Sequence, residues 1–360
     1  MQKKSKIFMK TKLLLLLFLV SLSTYAQYTA IPDVNFENKL ITLGIDSGVA
    51  DGEVLTSSIN SLTYLDVSSS NITDLTGIQD FVALTELNCD FNQLTTLDIS
   101  KNVLLNWLSC SHNQLTSLDV SNNLNLGYLD CSINKLTFLD VSNNVKLQDL
   151  HCYSNQLTTL DVSKNLTLYT FTCYQNQLTT LDVSKILVLY TFSCQENQLT
   201  TLDVSKNVTL INLDCSSNNL SNLNLKNSKN TLLTNPNIRL SGNPNLTCIQ
   251  VDDVTYSNNN WAGAKDAIAS YSETCTLGIE DSQFNKAAVY PNPTKGEVNI
   301  LNIAVEKATV YNVSGQLVKT FTLDSANTNH TINLSDLPKG IYFVYLINQD
   351  AASVKKVIVE

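Results

Sequence analysis

Apolar side chains recur along most of this chain with a fixed period of 21 residues, and the cysteines mark it. Aligned on that period, the sequence gives the unit LxxLxCxxNxLxxLDVSxNxx, which divides into two similar halves that each end in asparagine. Such self-similarity is typical of repeat architectures, in which each unit is one stacked structural element. The seven cysteines of the series are Cys89, Cys110, Cys131, Cys152, Cys173, Cys194 and Cys215.

The spacing of apolar residues within one unit predicts strands rather than helices. Leu108 and Cys110, and then Leu118 and Val120, alternate with polar residues, which is the period of a β-strand. Thr and Val favour strands as well. We therefore expect each half to be one short extended piece followed by an asparagine corner, and successive copies to stack as parallel strands along a solenoid. The asparagine amides of the corners would satisfy backbone groups of the turns.

The two ends of the array carry a different pattern, which predicts caps. The stretch IPDVNFENKLITLGI, within residues 27–61, is typical of an amphipathic helix that Gly44 ends. The stretch NNWAGAKDAIASYS, within residues 252–275, predicts a second helix that begins at Asn260. Because the first and last turns of a solenoid would otherwise expose their apolar core, we expect these segments to cover the ends of a repeat array at residues 62–251.

The repeat array resembles the leucine-rich-repeat family, in its nested 21-residue class. The resemblance covers residues 62–251 and rests on seven consecutive copies of the motif. The first copy departs from it, with 22 residues and Val67 in the cysteine position. The resemblance implies a mainly β fold, a leucine-rich-repeat solenoid of short parallel strands with helical caps.

The nine cysteines fall into two groups. The seven periodic ones would lie side by side with parallel Cβ vectors, which does not suit disulfide bonds, and a ladder offers no tetrahedral cluster for zinc. We expect them to be buried thiols that act as small apolar side chains. Cys248 and Cys275 lie outside the register and bracket the second cap, so they are the candidate disulfide.

The first 26 residues are typical of a signal peptide. Five lysines precede an apolar run at residues 13–20, and small residues follow up to Ala26, the expected cleavage site. The apolar run is shorter than the roughly 20 residues of a transmembrane helix. No later segment is apolar enough, so we expect an exported chain with no transmembrane helix.

The last residues of the chain have lost the repeat. Residues 276–286 lack any pattern and predict a linker, and residues 287–360 alternate short strand-like runs with turn signals, which predicts a small Ig-like β-sandwich. This segment is similar to the C-terminal sorting domain of the type IX (Por) secretion system of Bacteroidetes. The residues that carry the similarity are Tyr290, Pro291, Asn292, Pro293, Gly296, Val313, Gly315, Leu334, Leu337, Gly340, Tyr342, Lys355, Lys356 and Val357. The resemblance implies that residues 287–360 engage the type IX secretion machinery, and that the protein is secreted or held at the outer-membrane surface.

Candidate binding residues lie in the first half of the unit, because only that half varies between copies. If Leu and Cys point inward, the alternate positions form an exposed row with aromatic and polar side chains, which can stack on sugar rings or anchor a protein partner. The alternative is that aromatic residues simply favour strands and need no ligand. The candidate ligand-binding residues are Trp107, Tyr128, Asp130, His151, Tyr153 and Tyr174.

Composition narrows the function further. The net charge of −9 gives no basic footprint for nucleic acid. Caps, repeats, linker and sorting domain account for the chain, and no catalytic or metal-binding motif appears, so we expect neither an enzyme nor a cofactor or metal. The sequence favours a recognition or adhesion protein with an unidentified protein or glycan ligand. The alternatives are a structural spacer without a specific ligand and a glycan-capture module.

Overall fold

The computed structural model describes residues 27–275, 287–347 and 352–360. The signal peptide and the linker predicted at 276–286 lie outside the described residues. The chain forms two compact units that divide between Thr274 and Cys275, and each is described by itself.

In the part of the first unit that the structure describes, most elements are three-residue strands, and three short α-helices lie near its ends. Two 3₁₀ helices, Ile78–Asp80 and Asn230–Leu232, lie in its connections. In chain order the elements are β1 Tyr28–Ala30, α1 Val34–Thr42, β2 Glu53–Leu55, α2 Thr56–Ile59, β3 Tyr64–Asp66, β4 Glu86–Asn88, β5 Trp107–Ser109, β6 Tyr128–Asp130, β7 Asp149–His151, β8 Thr170–Thr172, β9 Thr191–Ser193, β10 Thr201–Asp203, β11 Asn212–Asp214, β12 Asn222–Asn224, β13 Ile238–Arg239, β14 Cys248–Gln250, α3 Val254–Asn260 and β15 Ser270–Ser272.

The first halves of the units build one parallel sheet of nine strands, in the order β13-β11-β9-β8-β7-β6-β5-β4-β3. Its register follows the period, so that Leu108 of β5 pairs with Leu129 of β6, and Leu129 with Leu150 of β7. The central residue of each strand is buried, while its neighbours are more exposed on the other side of the sheet. The sequence prediction of a leucine-rich-repeat solenoid of parallel strands is confirmed.

Each cysteine of the series lies one residue beyond the end of its strand. Because the strands are held in register, the thiols follow one another through the interior, and all seven are fully buried and free. Phe171 and Phe192 take leucine positions in the same core, where their rings stack with centroids 5.5 Å apart. The other two cysteines, Cys248 and Cys275, are disulfide-bonded.

We expect the seven thiols not to react with a thiol reagent while the solenoid is folded. Burial raises the pKa of these thiols, so almost no thiolate forms, and the reagent cannot reach the sulfur. Titration of the purified, non-reduced protein with Ellman's reagent should therefore detect fewer than about one thiol per chain. In guanidinium chloride the same titration should detect all seven. Rapid reaction of several thiols in the folded protein would contradict the burial of the seven cysteines in the solenoid core.

Asparagine amides hold neighbouring turns together at the corners. Asn113 is representative: its Nδ2 donates to the carbonyl oxygens of Cys89 and Cys110 at 3.0 and 3.1 Å, and its Oδ1 accepts from the Leu94 N–H at 2.9 Å. The residue before each such asparagine has a left-handed conformation, as in His112 with φ of 51°. The predicted role of the asparagine amides in satisfying turn backbone groups is confirmed for this ladder.

The second halves differ from the expected strands. Over most of the described array they form no ladder of their own, and the bonds between successive turns there lie at the corner, as from Lys135 N to Leu115 O and from Leu136 N to Asn155 Oδ1, both 2.9 Å. Side-chain amides thus replace strand pairing on this side. Only from β10 onward does a second parallel sheet form, with the order β10-β12-β14-β15.

A helix lies at the N-terminal end of the array, where the sequence predicts one. The carboxylate of Asp33 caps α1 by accepting from the Asn35 and Phe36 N–H groups at 2.9 and 3.0 Å. Its second oxygen accepts from the Thr73 N–H of the first turn at 2.8 Å, and Phe36 joins the solenoid core. Gly44, just past the helix, has a φ of 71°, which glycine adopts readily.

The predicted position of the second cap helix is wrong. Helix α3 ends at Asn260, where the sequence predicts its start, because Asp253 caps it earlier by accepting from Tyr256 N at 2.9 Å. The chain then turns, and the buried indole of Trp261 donates to the Leu233 carbonyl at 2.7 Å. A last strand, β15, follows instead of the predicted helix and pairs with β14.

The second unit is built of two antiparallel sheets, with the orders β16-β17-β20 and β19-β18-β21-β22. Its own core contains Val298, Ile300, Val310 and Val344. Tyr342, one of the motif residues, is buried beside it and donates its hydroxyl to the Pro338 carbonyl at 2.7 Å. The strands are β16 Ala288–Tyr290, β17 Glu297–Leu301, β18 Lys307–Asn312, β19 Leu317–Thr322, β20 His330–Asn333, β21 Gly340–Ile347 and β22 Ala352–Val359.

Candidate ligand-binding face

The outward side of the nine-stranded sheet, called here the strand face, collects the first and third residue of each strand and the residue two positions beyond. Because the register repeats every 21 residues, side chains at equivalent positions of adjacent units become neighbours on this face. All six residues that the sequence selects as candidates lie on it, and all six are half-buried. Whether they bind a ligand remains a prediction.

Aromatic rings on this face stack along the solenoid axis. The rings of Trp107 and Tyr128 lie 5.0 Å apart at an interplanar angle of 12°. Tyr128 also contacts the tilted ring of His151 at 5.5 Å. The three side chains therefore form one continuous aromatic run across β5, β6 and β7.

A second stack lies at the outer edge of the face. Tyr153 and Tyr174 are nearly parallel, with centroids 4.3 Å apart. A third pair, Tyr169 and Tyr190, stacks at 4.6 Å at the opposite edge. The rings stand in matched pairs because one strand spacing, about 4.8 Å, is close to the distance preferred by stacked aromatic rings.

Carboxylates lie on the same face as the aromatic rings. Asp90 accepts from the Ser109 hydroxyl at 2.7 Å and from the Ser111 N–H at 2.6 Å. Asp130 uses its Oδ1 for the N–H and the hydroxyl of Ser132. Desolvation raises the pKa of Asp90, and the nearby Asp130 charge adds to the effect.

These carboxylates affect the tyrosines beside them. Desolvation, together with the charges of Asp130, Asp90 and Asp149, raises the pKa of Tyr128 to about 12. Desolvation also raises the pKa of Tyr174 to about 12, with contributions from Tyr153 and Asp130. The charge of Asp130 therefore acts on both tyrosines, and both phenols stay neutral at physiological pH.

Two features of the face are not among the residues selected from sequence. The first is Asp90, which lies two positions beyond β4 and is half-buried, with its carboxylate hydrogen-bonded to Ser109 and Ser111 of the next unit. Phe91 and His112 stack at 3.9 Å on the corner beside the face. Both residues occupy the left-handed position before a corner asparagine, one period apart. The 21-residue period alone could therefore have predicted that they are neighbours.

The opposite side of the solenoid, formed by the second halves, is chemically monotonous. An open groove of about 590 Å³ lies there, and its lining residues include Phe138, Leu139, Asp140, Leu160 and Asp161. Each of these aspartates accepts from a serine N–H two residues on, at 2.9 Å for Asp140 and 2.8 Å for Asp161. Each of these carboxylates thus accepts a hydrogen bond within its own turn.

Within the described ranges, no three His, Cys, Asp or Glu side chains are grouped so that they could hold a metal ion. Across the same residues, the helices are too short or too polar to span a bilayer.

Residues 288–360 match the family of the secretion system C-terminal sorting domain. This match indicates type IX secretion to the cell surface or the extracellular space. Val298 and Leu334 of its core, and the buried Tyr342, belong to the second unit described above.

The chain is also similar to internalins. A stretch of 71 residues is 38% identical to Internalin J of Listeria monocytogenes serotype 4b, and this stretch spans 20% of this chain and 8% of that protein. Among solved structures, the functional domain of InlJ from Listeria monocytogenes, described as including a cysteine ladder, covers 93% of this chain and 99% of its own at 23% identity and a TM-score of 0.46. Internalin C2 from Listeria monocytogenes covers 69% of this chain and 100% of its own at 20% identity and a TM-score of 0.48.

The internal period and the nine-stranded parallel sheet with its buried thiols identify the repeat array. The match at residues 288–360 identifies the sorting domain. The chain is a leucine-rich-repeat protein with a type IX secretion sorting domain.

Proposed function

We propose that the protein recognises a protein or glycan ligand through the strand face after its export, and that it acts as a recognition or adhesion protein rather than an enzyme. The observation that carries this proposal is the aromatic run of Trp107, Tyr128 and His151, together with the Tyr153–Tyr174 stack. These rings are half-buried and already ordered by stacking, so binding would fix few additional side-chain rotamers. A spacer without a ligand has no need for such a row on one side only.

The variants Trp107→Ala and Tyr128→Ala are expected to weaken binding at least about tenfold, because aromatic anchors dominate interfaces of this kind. Binding should be measured with the purified full chain on a glycan array and by capture of surface proteins from intact cells. Phe138→Ala is the matched control, since Phe138 is an exposed aromatic on the opposite side, 64% accessible. It should leave binding unchanged.

The outcomes separate the alternative functions. Glycan hits that the two strand-face variants abolish would support glycan capture, and protein hits with the same dependence would support adhesion. If every ligand found binds the variants as well as the native chain, the strand face is not the recognition surface. If no ligand is found in either assay, the spacer role is favoured.

A further inference from the structure

The strand face has an uneven charge. Its outward positions from β3 to β13 carry six carboxylates and one guanidinium, and no lysine. That guanidinium, Arg239, already lies 3.6 Å from the Asp214 carboxylate. The carboxylates are those of Asp66, Glu86, Asp90, Asp130, Asp149 and Asp214.

The imbalance is smaller on the opposite side of the solenoid. Four of the six aspartates in its column, Asp98, Asp161, Asp182 and Asp203, are followed three residues later by a lysine, while Asp119 and Asp140 are followed there by an asparagine. The charge of Lys101 contributes to the lowered pKa of Asp98, as Lys185 does for Asp182. Positive charge therefore offsets most of the negative charge on that side. The net charge of −9 is thus not spread evenly over the molecule, and the strand face carries an excess of negative charge.

The negative charge and the aromatic rings occupy the same part of the face. Asp130 follows Tyr128 by two positions, and Asp149 pairs directly with Tyr128 across β6 and β7. The charge of Asp90 also acts on Tyr128. A cation is attracted both to the face of an aromatic ring and to a carboxylate beside it, so the two groups favour the same ligand.

We propose that the ligand of the strand face is a basic protein segment whose arginine side chains stack on the Trp107–Tyr128 and Tyr153–Tyr174 rings and pair with Asp130 and Asp149. This inference rests on the proposed function and names the class of partner. Arginine fits better than lysine because its planar guanidinium stacks on aromatic rings and binds carboxylates in a bidentate manner. An acidic glycan would be repelled by the same carboxylates, and a neutral glycan carries no positive charge to pair with them.

The test uses fluorescence anisotropy with labelled hexa-arginine, hexa-lysine and hexa-glutamine peptides and the purified full chain. We expect hexa-arginine to bind most tightly, hexa-lysine more weakly and hexa-glutamine not at all. Binding should weaken severalfold as salt rises from about 50 to about 200 mM, because ions screen exposed charges. The double variant Asp130→Asn/Asp149→Asn should weaken hexa-arginine binding at least about tenfold, because it removes the charges that pair with the guanidinium groups. The amide introduced at position 130 keeps the acceptor oxygen that Ser132 uses.

The matched control is Asp119→Asn/Asp140→Asn, which removes the same two charges from the opposite side. The amide at each of these positions keeps the Oδ1 that accepts from Ser121 or Ser142 there. This control should change hexa-arginine binding less than about twofold, since single exposed charges away from a contact contribute little. Equal weakening by both double variants would show unspecific attraction to an acidic protein and overturn the inference, as would equal binding of hexa-glutamine.

Failure of this inference can be told apart from failure of the proposed function. If a ligand from the array or capture experiment depends on Tyr128 but not on Asp130 and Asp149, recognition by the strand face stands and the basic partner is excluded. If no ligand depends on any of the three residues, both proposals fail.

Discussion

Replacing Asn155 by alanine is expected to lower the free energy of unfolding of the solenoid by about 2–4 kcal/mol. The Asn155 Nδ2 donates to the carbonyl oxygens of Cys131, Cys152 and Tyr153 at 3.0, 3.2 and 3.2 Å. Its Oδ1 accepts from the Leu136 N–H at 2.9 Å. Alanine would leave that buried N–H without an acceptor, and the unmade bond is what makes the substitution costly.

Urea denaturation followed by far-UV circular dichroism measures this loss as a lower midpoint. Gln156→Ala is the neighbouring control: its side chain is exposed, and only its backbone N–H takes part in the inter-turn contact to Leu136. That variant should change the free energy of unfolding by less than about 0.5 kcal/mol. Equal midpoints for the two variants would mean that the asparagine ladder does not stabilise the array.

The second large effect is expected from Gly296→Ala in the sorting domain. Gly296 has a φ of 143°, and a Cβ there would lie 2.5 Å from the Ser335 Cβ and 2.9 Å from its Cα. Backbone strain and the clash together should destabilise the domain by more than about 3 kcal/mol. We expect the variant chain to remain inside the cell, since the sorting signal would be unfolded. The measurement is the fraction of protein at the cell surface and in the medium.

Gly315→Ala provides the control with the same chemical change. Gly315 also has a left-handed backbone, with φ of 77°, but nothing lies within 4 Å of the position of a Cβ. Strain alone should cost about 1 kcal/mol and leave export near its native level. If both variants are exported equally well, close packing at Gly296 is not required for sorting.

The sequence period was sufficient to predict the sheet, its register and the buried thiols. Once Cys110 and Cys131 are placed one turn apart, the pairing of Trp107 with Tyr128 follows from the same 21-residue offset. The stacked rings were therefore predictable as neighbours. Their half-burial and their angles depend on adjacent side chains, which the period does not determine.

Other features depended on competing local interactions. The second cap helix was misplaced because Asp253 provides an N-cap that the apolar pattern did not reveal, and because Trp261 is held in the core by its bond to Leu233. The second halves were expected to be strands, but corner amides such as that of Asn155 make the contacts between turns instead. Propensity alone could not decide between these two ways of satisfying the backbone.

The hydrogen bonds described between turns connect each turn to its immediate neighbour: Asn113 Nδ2 donates to the Cys89 carbonyl, and Lys135 N to the Leu115 carbonyl. An insertion or deletion of one whole unit would consequently recreate every interface it interrupts. The number of repeats can therefore change without a loss of stability per turn. Related proteins could have a longer or shorter solenoid with the same caps and the same sorting domain.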